Sequence, residues 1–246
     1  MNKSEKYISA IEREVGKCIN RYKLLQESDR VLVGLSGGKD SLVLLETLAC
    51  RRRRIPVYYH IIAAYVHIRG IGYESDTVFL ESFCNELAVP FKVVEVETDL
   101  ISSQDKPPCF LCSSQRRKKL FDLAAEENCN RVALGHHMDD AVETLFMNMI
   151  FSGSISSMPP ALELFSGEIS LIRPLLLLGE AKISEYAGIR NFPEQKKTCP
   201  WADESKRTKV KSLIAEIKKW DKNGLSNIFN SMSNIHGEYL PCEIKK

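Results

Sequence analysis

The sequence predicts an α/β fold, a parallel sheet with helices on both faces, followed by a helical C-terminal tail. Short apolar runs alternate with amphipathic segments of helical spacing along most of the chain. The runs are apolar almost throughout, as is typical of strands buried on both faces of a parallel sheet. The most distinctive motif, Ser36-Gly37-Gly38-Lys39-Asp40-Ser41, lies where a strand ends and a helix begins, which is where such sheets bind their ligands.

The elements follow one another in a regular order. We expect an amphipathic helix over 3–26, a strand over 31–35, a helix over 41–53, a strand over 57–67, a helix over 74–88, a strand over 91–96, a helix over 113–127, a strand over 131–134 and a helix over 139–151. Residues 152–178 are less regular and predict a short hairpin, and helical spacing returns at 179–188, 204–220 and 225–232. The chain thus divides into an N-terminal helix (1–27), an α/β domain (28–190) and a C-terminal segment (191–246).

Size and composition are typical of one globular domain with a small appendage. The chain has 246 residues and is 44% apolar. It shows no apolar signal-peptide core and no apolar run long enough to cross a membrane. We therefore expect a cytoplasmic protein that does not act at a membrane, whose eight cysteines are reduced and available for metal or redox chemistry.

Positive charge is clustered although the net charge is only +2. The basic clusters are Arg51–Arg54, Arg116–Lys119, Lys196-Lys197 and a stretch of lysines and arginines over 206–222. Each cluster alone is explained by a solvated helix face. Several on one chain favour an anionic macromolecular partner. The apolar face of the N-terminal helix is compatible with a homodimer.

The motif after the first strand predicts a phosphate-binding loop. Its two glycines permit a tight turn in which several backbone N–H groups point at one anion. The start of the next helix and the ammonium of Lys39 add positive charge. The glycine–lysine spacing differs from that of a Walker A loop. The motif resembles the PP-loop of N-type ATP pyrophosphatases, which split ATP between the α and β phosphates. We expect ATP to bind at Leu35, Ser36, Gly37, Gly38, Lys39, Asp40 and Ser41, with Lys39 and Asp40 in catalytic roles.

A second polar cluster, Gly135-His136-His137-Met138-Asp139-Asp140, follows the fourth predicted strand and therefore lies on the same sheet edge. Asp40 and Asp140 are candidate ligands of a Mg²⁺ ion that contacts the triphosphate, because this cation prefers oxygen ligands. Capping of the following helix is the alternative role of both aspartates, and Asp139 can act as the cap while Asp140 faces the nucleotide. Gly135 and His136 are expected to line the nucleotide pocket, and a purely structural role for His136 stays open.

Three cysteines form the other candidate site. Cys109 and Cys112 make a C-x-x-C pair just before a basic helix, whose N-terminus and arginines favour thiolates. Cys199 is the best third ligand. From the residues alone, a thiol–disulfide motif, a zinc site and a soft-metal site all remain open. Cys18, Cys50 and Cys84 look like packing residues, and Cys129 and Cys242 have no motif around them.

The motifs taken together resemble the tRNA 2-thiocytidine synthetase family. The matching motifs are SGGKDS, P-C-x-L-C before a basic helix, GHHxDD-x-x-ET-L-F-x-N, Met158-Pro159-Pro160 and Ile172-Arg173-Pro174-Leu175. The resemblance covers residues 25–201, with a similar tail containing Trp220-Asp221-Lys222. It implies a [4Fe-4S] cluster held by Cys109, Cys112 and Cys199, with one iron lacking a protein ligand. The chain departs from its relatives after Cys199, where Pro200-Trp201-Ala202 replaces a second C-x-x-C.

The resemblance also implies a reaction. ATP adenylates C2 of the anticodon-loop cytidine at tRNA position 32, Arg116 steadies the adenylate, and sulfur replaces AMP to give 2-thiocytidine. The implied partners are tRNA, ATP and a cysteine desulfurase or another sulfur donor. Two alternatives remain: a cluster-free ligase of the lysidine type, in which the cysteines hold structural zinc or are inert, and a non-enzymatic oxygen-sensing regulator. The intact SGGKDS and GHHMDD motifs argue against the regulator.

Overall fold

The computed structural model describes residues 2–69, 75–97, 108–194 and 206–241, without the side chains of 108–110. These residues contain a six-stranded sheet in the order β3-β2-β1-β4-β6-β5. The strands are β1 (Arg30–Gly34), β2 (His60–Ile68), β3 (Phe91–Val96), β4 (Arg131–Ala133), β5 (Ala161–Leu164) and β6 (Ile169–Ile172). Neighbours are parallel except β5 and β6, which pair antiparallel as the predicted hairpin. The predicted fold class is confirmed.

Helices connect the strands and form the C-terminal region. They are α1 (Lys3–Arg21), α2 (Lys39–Arg52), α3 (Thr77–Glu86), α4 (Pro108–Glu126), α5 (Met138–Ser152), α6 (Glu180–Ile189), α7 (Lys206–Trp220) and α8 (Gly224–Ser231). None of these helices combines the length and apolar character that crossing a bilayer requires.

Two predicted helix boundaries are wrong by five residues, and the others differ by three or fewer. Helix α1 ends at Arg21 rather than at 26, and Lys23 then takes a positive φ of 51°, which a right-handed α-helix does not adopt. Helix α4 begins at Pro108 rather than at 113. Proline suits the first turn of a helix because its missing N–H has no intrahelical acceptor there. The C-x-x-C pair therefore lies inside α4 and not before it.

The chain forms two compact units. The first comprises residues 1–137 and 159–204, and the second comprises 138–158 and 205–246. In the first unit, α4 covers one face of the sheet through a core that includes Leu32, Val132 and Leu171. Helix α2 is buried along most of its length and packs on β1, α1 and α6. The second unit contains α5, α7 and α8 around Val142, Val210, Ile214 and Leu225. The boundaries predicted near 27 and 190 stay a prediction.

Candidate active site

The loop between β1 and α2 has the backbone of an anion cradle. Gly37 has a φ of 81°, which favours glycine, and Gly38 is the N-cap of α2. The hydroxyl of Ser41 accepts a hydrogen bond from the backbone N of Ser36 at 3.1 Å and donates to the carbonyl of Gly38 at 2.8 Å. These bonds close the turn around the first residues of α2, where N–H groups without helical acceptors point outward.

Lys39 projects from the first position of α2 and is held by two carboxylates. Its Nζ lies 3.1 Å from Oδ1 of Asp40 and 3.1 Å from Oε1 of Glu180. Burial lowers the pKa of Lys39, but the two carboxylates outweigh that effect and raise the pKa above its ordinary value. Lys39 is therefore a fixed cation at neutral pH. Glu180 was missed by the sequence reasoning, because a contact across 141 residues leaves no local pattern.

The backbone that follows β4 presses against the start of α2. A Cβ at Gly135 would lie 2.9 Å from the carbonyl carbon of Asp40 and 3.1 Å from the backbone N of Ser41, so only glycine fits there. His137 is buried, with Nε2 3.9 Å from Oδ1 of Asp40, whereas the predicted pocket residue His136 is half-buried. The structure thus brings Gly135 and His137 to the phosphate loop.

We expect Gly135→Ala to displace the phosphate loop. The new methyl group would meet backbone atoms of Asp40 and Ser41 that cannot rotate away, at a cost of about 1–3 kcal/mol. Affinity for a non-hydrolysable ATP analogue, measured by isothermal titration calorimetry, should fall about tenfold or more. The control is Gly188→Ala in α6, where a Cβ meets nothing within 4 Å. Equal affinity of both variants for the analogue would contradict the close packing of Gly135 against the backbone of Asp40 and Ser41.

Asp139 and Asp140 lie in the first turn of α5, within the second unit. Oδ1 of Asp139 accepts a hydrogen bond from Lys218 at 2.6 Å, and Oδ1 of Asp140 accepts one from Arg207 at 2.8 Å. Because α5 begins at Met138, the predicted capping role of Asp139 is wrong. Carboxylate oxygens are chemically suitable ligands for Mg²⁺. The assignment of Asp40 and Asp140 as its ligands stays a prediction.

Replacing Arg207 by Met should loosen the second unit. The guanidinium of Arg207 also donates to Oε2 of buried Glu143 at 2.7 Å, so its loss removes one cation from two carboxylates. Because Arg207 is half-exposed and solvent weakens its ion pairs, we expect the substitution to lower the free energy of unfolding by only about 2 kcal/mol. Hydrogen exchange of the α5 peptides, read by mass spectrometry, should speed up accordingly. The control is Lys209→Met, which replaces an exposed lysine of α7, the helix that contains Arg207. Exchange in Arg207→Met as slow as in this control would contradict the prediction.

The C-x-x-C pair lies at the start of α4. Positions 109 and 112 share one face of the helix, and the half-buried Cys112 packs beside Ile68 and Val96 at the ends of β2 and β3. No group of three metal-binding side chains occurs among the described residues, but Cys199 and the side chain of Cys109 lie outside them. A cysteine next to apolar strand ends is a suitable ligand for an iron–sulfur cluster, so Cys112, the one of the three whose side chain is described, fits such a group.

Comparison with known proteins decides the family. Residues 8–208 match the PP-loop domain model. The tRNA-cytidine(32) 2-sulfurtransferase of Hahella chejuensis is 34% identical over 240 residues, covering 96% of this chain and 83% of the relative. The enzyme of the same name from Acaryochloris marina is 36% identical over 226 residues, covering 90% and 79%. This chain belongs to the tRNA 2-thiocytidine synthetase family of PP-loop enzymes.

A solved structure agrees with that assignment. The U34-tRNA thiolase NcsA from Methanococcus maripaludis, determined with its [4Fe-4S] cluster, matches with a TM-score of 0.77 and 28% identity over 95% of this chain and 81% of the other. The likeness extends the family comparison to a thiolase that acts on a different tRNA position. The predicted recognition and enzyme class are confirmed.

Three of the remaining cysteines of this synthetase-family chain are packing residues. Cys18 and Cys84 are fully buried, and burial raises the pKa of their thiols to about 11 and about 12. Cys129 lies in the core under α4, and burial likewise raises its pKa. Protonated buried thiols are poor metal ligands. Cys50 is half-buried at the end of α2, and Cys242 lies outside the described residues.

Two basic clusters of the synthetase-family domain differ in their surroundings. In the cluster Arg51–Arg54, each guanidinium bonds to another part of the first unit: to Asn20, Ala88, Leu87 and Glu12, respectively. These arginines are structural. Arg116 lies four residues after Cys112 on α4 and is half-buried, and its predicted contact with the adenylate stays a prediction. Lys196-Lys197 lies outside the described residues.

Proposed function

We propose that this enzyme converts the cytidine at position 32 of tRNA to 2-thiocytidine. The C2 oxygen of the base attacks the α phosphorus of ATP, and pyrophosphate leaves. A thiol reductant converts the sulfane sulfur that the desulfurase delivers to hydrosulfide, which adds to C2 and loses its proton, and AMP leaves with the former C2 oxygen. Adenylation is needed because a carbonyl oxygen is otherwise a poor leaving group. The tRNA-cytidine(32) 2-sulfurtransferases that match most of this chain support this choice of base.

The observation that carries the proposal is the phosphate loop at the end of β1. Its backbone N–H groups and the start of α2 bind the β and γ phosphates, which become the pyrophosphate. Lys39 is a cation already fixed at the loop by Asp40 and Glu180. As negative charge grows on the leaving pyrophosphate, the ammonium of Lys39 stabilises it without reorganising.

We propose that Cys109, Cys112 and Cys199 hold a [4Fe-4S] cluster. When bound, the cluster supplies one iron without a protein ligand, at which a sulfur species can bind. Cys112 supplies a thiolate beside the ends of β2 and β3, and the position of Cys109 is on the same helix face. The base must leave the anticodon-loop stack to reach these residues, and basic side chains of the enzyme bind the flanking backbone. The cysteine desulfurase that delivers sulfur and a cytoplasmic location are part of this proposal.

Nucleoside analysis of a reconstituted reaction tests the proposal. The anaerobically purified protein is incubated with ATP, Mg²⁺, a cysteine desulfurase, cysteine, a thiol reductant and unmodified tRNA, and the digested tRNA is examined by mass spectrometry. We expect 2-thiocytidine, and its loss when cytidine 32 is replaced by uridine. A 2-thiouridine that depends on position 34, as the activity of NcsA would suggest, overturns the choice of base. A colourless protein that forms no thionucleoside but cleaves ATP to AMP favours the cluster-free ligase.

A further inference from the structure

Arg173, from a motif that the proposed reaction does not use, lies on the sheet edge of the phosphate loop. It directly follows β6, in which Ile172 is paired with Ala133 of β4, and Ala133 is paired with Val33 of β1. Neighbouring strands are about 4.8 Å apart, so the backbones at Arg173 and Gly34 are roughly 10 Å apart. A long arginine side chain at this position is within reach of a ligand bound along the edge.

The guanidinium of Arg173 is buried and only partly bonded. Arg173 is 6% exposed, and Nη1 donates to the carbonyl oxygen of Pro159 at 2.6 Å. Its Nε is buried without a hydrogen-bond partner, and among the described residues none accepts a bond from Nη2. The edge formed by Nε and Nη2 is the one that binds a carboxylate or phosphate with two parallel hydrogen bonds.

The charge of Arg173 is not balanced by a described carboxylate. Burial, together with the positive charge of Arg117 on α4, lowers its pKa to about 10. Arg173 is still a cation at neutral pH. Two other arginines of this unit have acidic partners: Arg131 has Asp29, and Arg190 has Glu46. A buried cation without an anion is costly, and such a cost is typical of a group whose partner arrives with the ligand.

We infer that Arg173 is a phosphate-binding residue, whose free guanidinium edge binds a phosphate of ATP or of the tRNA backbone. The inference rests on the proposed function for the identity of these two reactants. Arg117 on α4 adds a second positive charge that acts on Arg173, which favours a dianionic or polyanionic ligand over a neutral one. The carbonyl oxygen of Pro159 positions the guanidinium by accepting the bond from Nη1.

Binding measurements on Arg173→Met test the inference without any turnover. Affinity is measured by calorimetry for a non-hydrolysable ATP analogue and by filter binding for tRNA over a salt series. We expect affinity for one ligand to fall about tenfold or more. If the phosphate belongs to tRNA, the slope of log Kd against log salt also falls by about one. If the phosphate belongs to ATP, only the affinity for the ATP analogue falls.

Unfolding in urea separates binding from a structural role. We expect Arg173→Met to unfold at the wild-type urea concentration or a higher one, because it removes a buried charge. The matched control is Arg190→Met, which leaves the buried Glu46 without its arginine and should unfold at lower urea while binding both ligands normally. Unchanged binding of both ligands by Arg173→Met overturns the inference.

Arg173→Lys covers the case in which the methionine variant does not fold. It keeps the charge but not the two-bond edge, so affinity for the phosphate ligand should fall about threefold to tenfold. Wild-type affinity of this variant for both ligands overturns the inference. Because these readouts need no thiolation, a protein that binds through Arg173 but makes no 2-thiocytidine would contradict the proposed function alone.

Discussion

Replacing Lys39 by Ala is expected to slow tRNA-dependent formation of AMP and pyrophosphate about a hundredfold or more. The ammonium is the cation fixed beside the phosphate loop, and its interaction strengthens as charge develops on the leaving pyrophosphate. Lys39 and its partners are partly exposed, so the thermal unfolding midpoint should change little. The rate is measured by chromatography of nucleotides from labelled ATP.

Lys182→Ala provides the matched control for Lys39→Ala. Lys182 lies in the same unit, and its ammonium binds the carboxylate of Glu14 at 2.7 Å. The substitution therefore removes an equivalent ion pair from a different surface. We expect its rate of AMP formation to equal that of the wild type. A Lys39→Ala enzyme within a factor of two of this control would remove Lys39 from the catalytic residues.

Each of Cys109→Ala, Cys112→Ala and Cys199→Ala is expected to abolish cluster binding and tRNA thiolation. A cluster with three protein ligands does not survive the loss of one, because the remaining thiolates cannot hold it against solvent and chelators. Wild-type protein purified without oxygen should contain about four irons per chain with acid-labile sulfide and a brown colour. The variants should be colourless and still form AMP, since the phosphate loop is intact.

Cys84→Ala is the control for the cysteine series. Its thiol is fully buried with a pKa raised to about 12 by burial, so it offers no thiolate to a metal. We expect this variant to keep its iron and its thiolation activity. Zinc in place of iron, lost in the same three variants, would instead favour the structural-zinc alternative. Iron retained by Cys199→Ala would exclude that residue as a ligand.

Most of the fold was predictable because it depends on local patterns. The apolar runs and the glycine turn determined the strands and the phosphate loop, and the SGGKDS motif lies where it was expected. Helix α4 begins five residues before the predicted start because Pro108 occupies the first helical position, where its missing N–H costs no hydrogen bond. The capping prediction for Asp139 failed for a similar reason, since the helix starts one residue earlier.

The parts that were not predictable involve distant residues. The bond between Lys39 and Glu180 joins residues 141 positions apart, and neither lies in a pattern that indicates the other. The same holds for Arg207 and Asp140, which are separated by 67 residues. Long-range ion pairs depend on how helices are placed around the sheet, and the periodicity of the sequence does not encode that placement.

The composition of the second unit has a consequence for the order of folding. Helix α5 packs with α7 and α8, yet strands β5 and β6 and helix α6 of the first unit lie between α5 and α7 in the sequence. During synthesis, the apolar face of α5 that includes Val142 and Phe146 therefore waits for Val210, Ile214 and Leu225 to leave the ribosome. Until then this face is exposed and prone to aggregate. Nascent chains halted before α7 should bind chaperones, and release should come with the last helices.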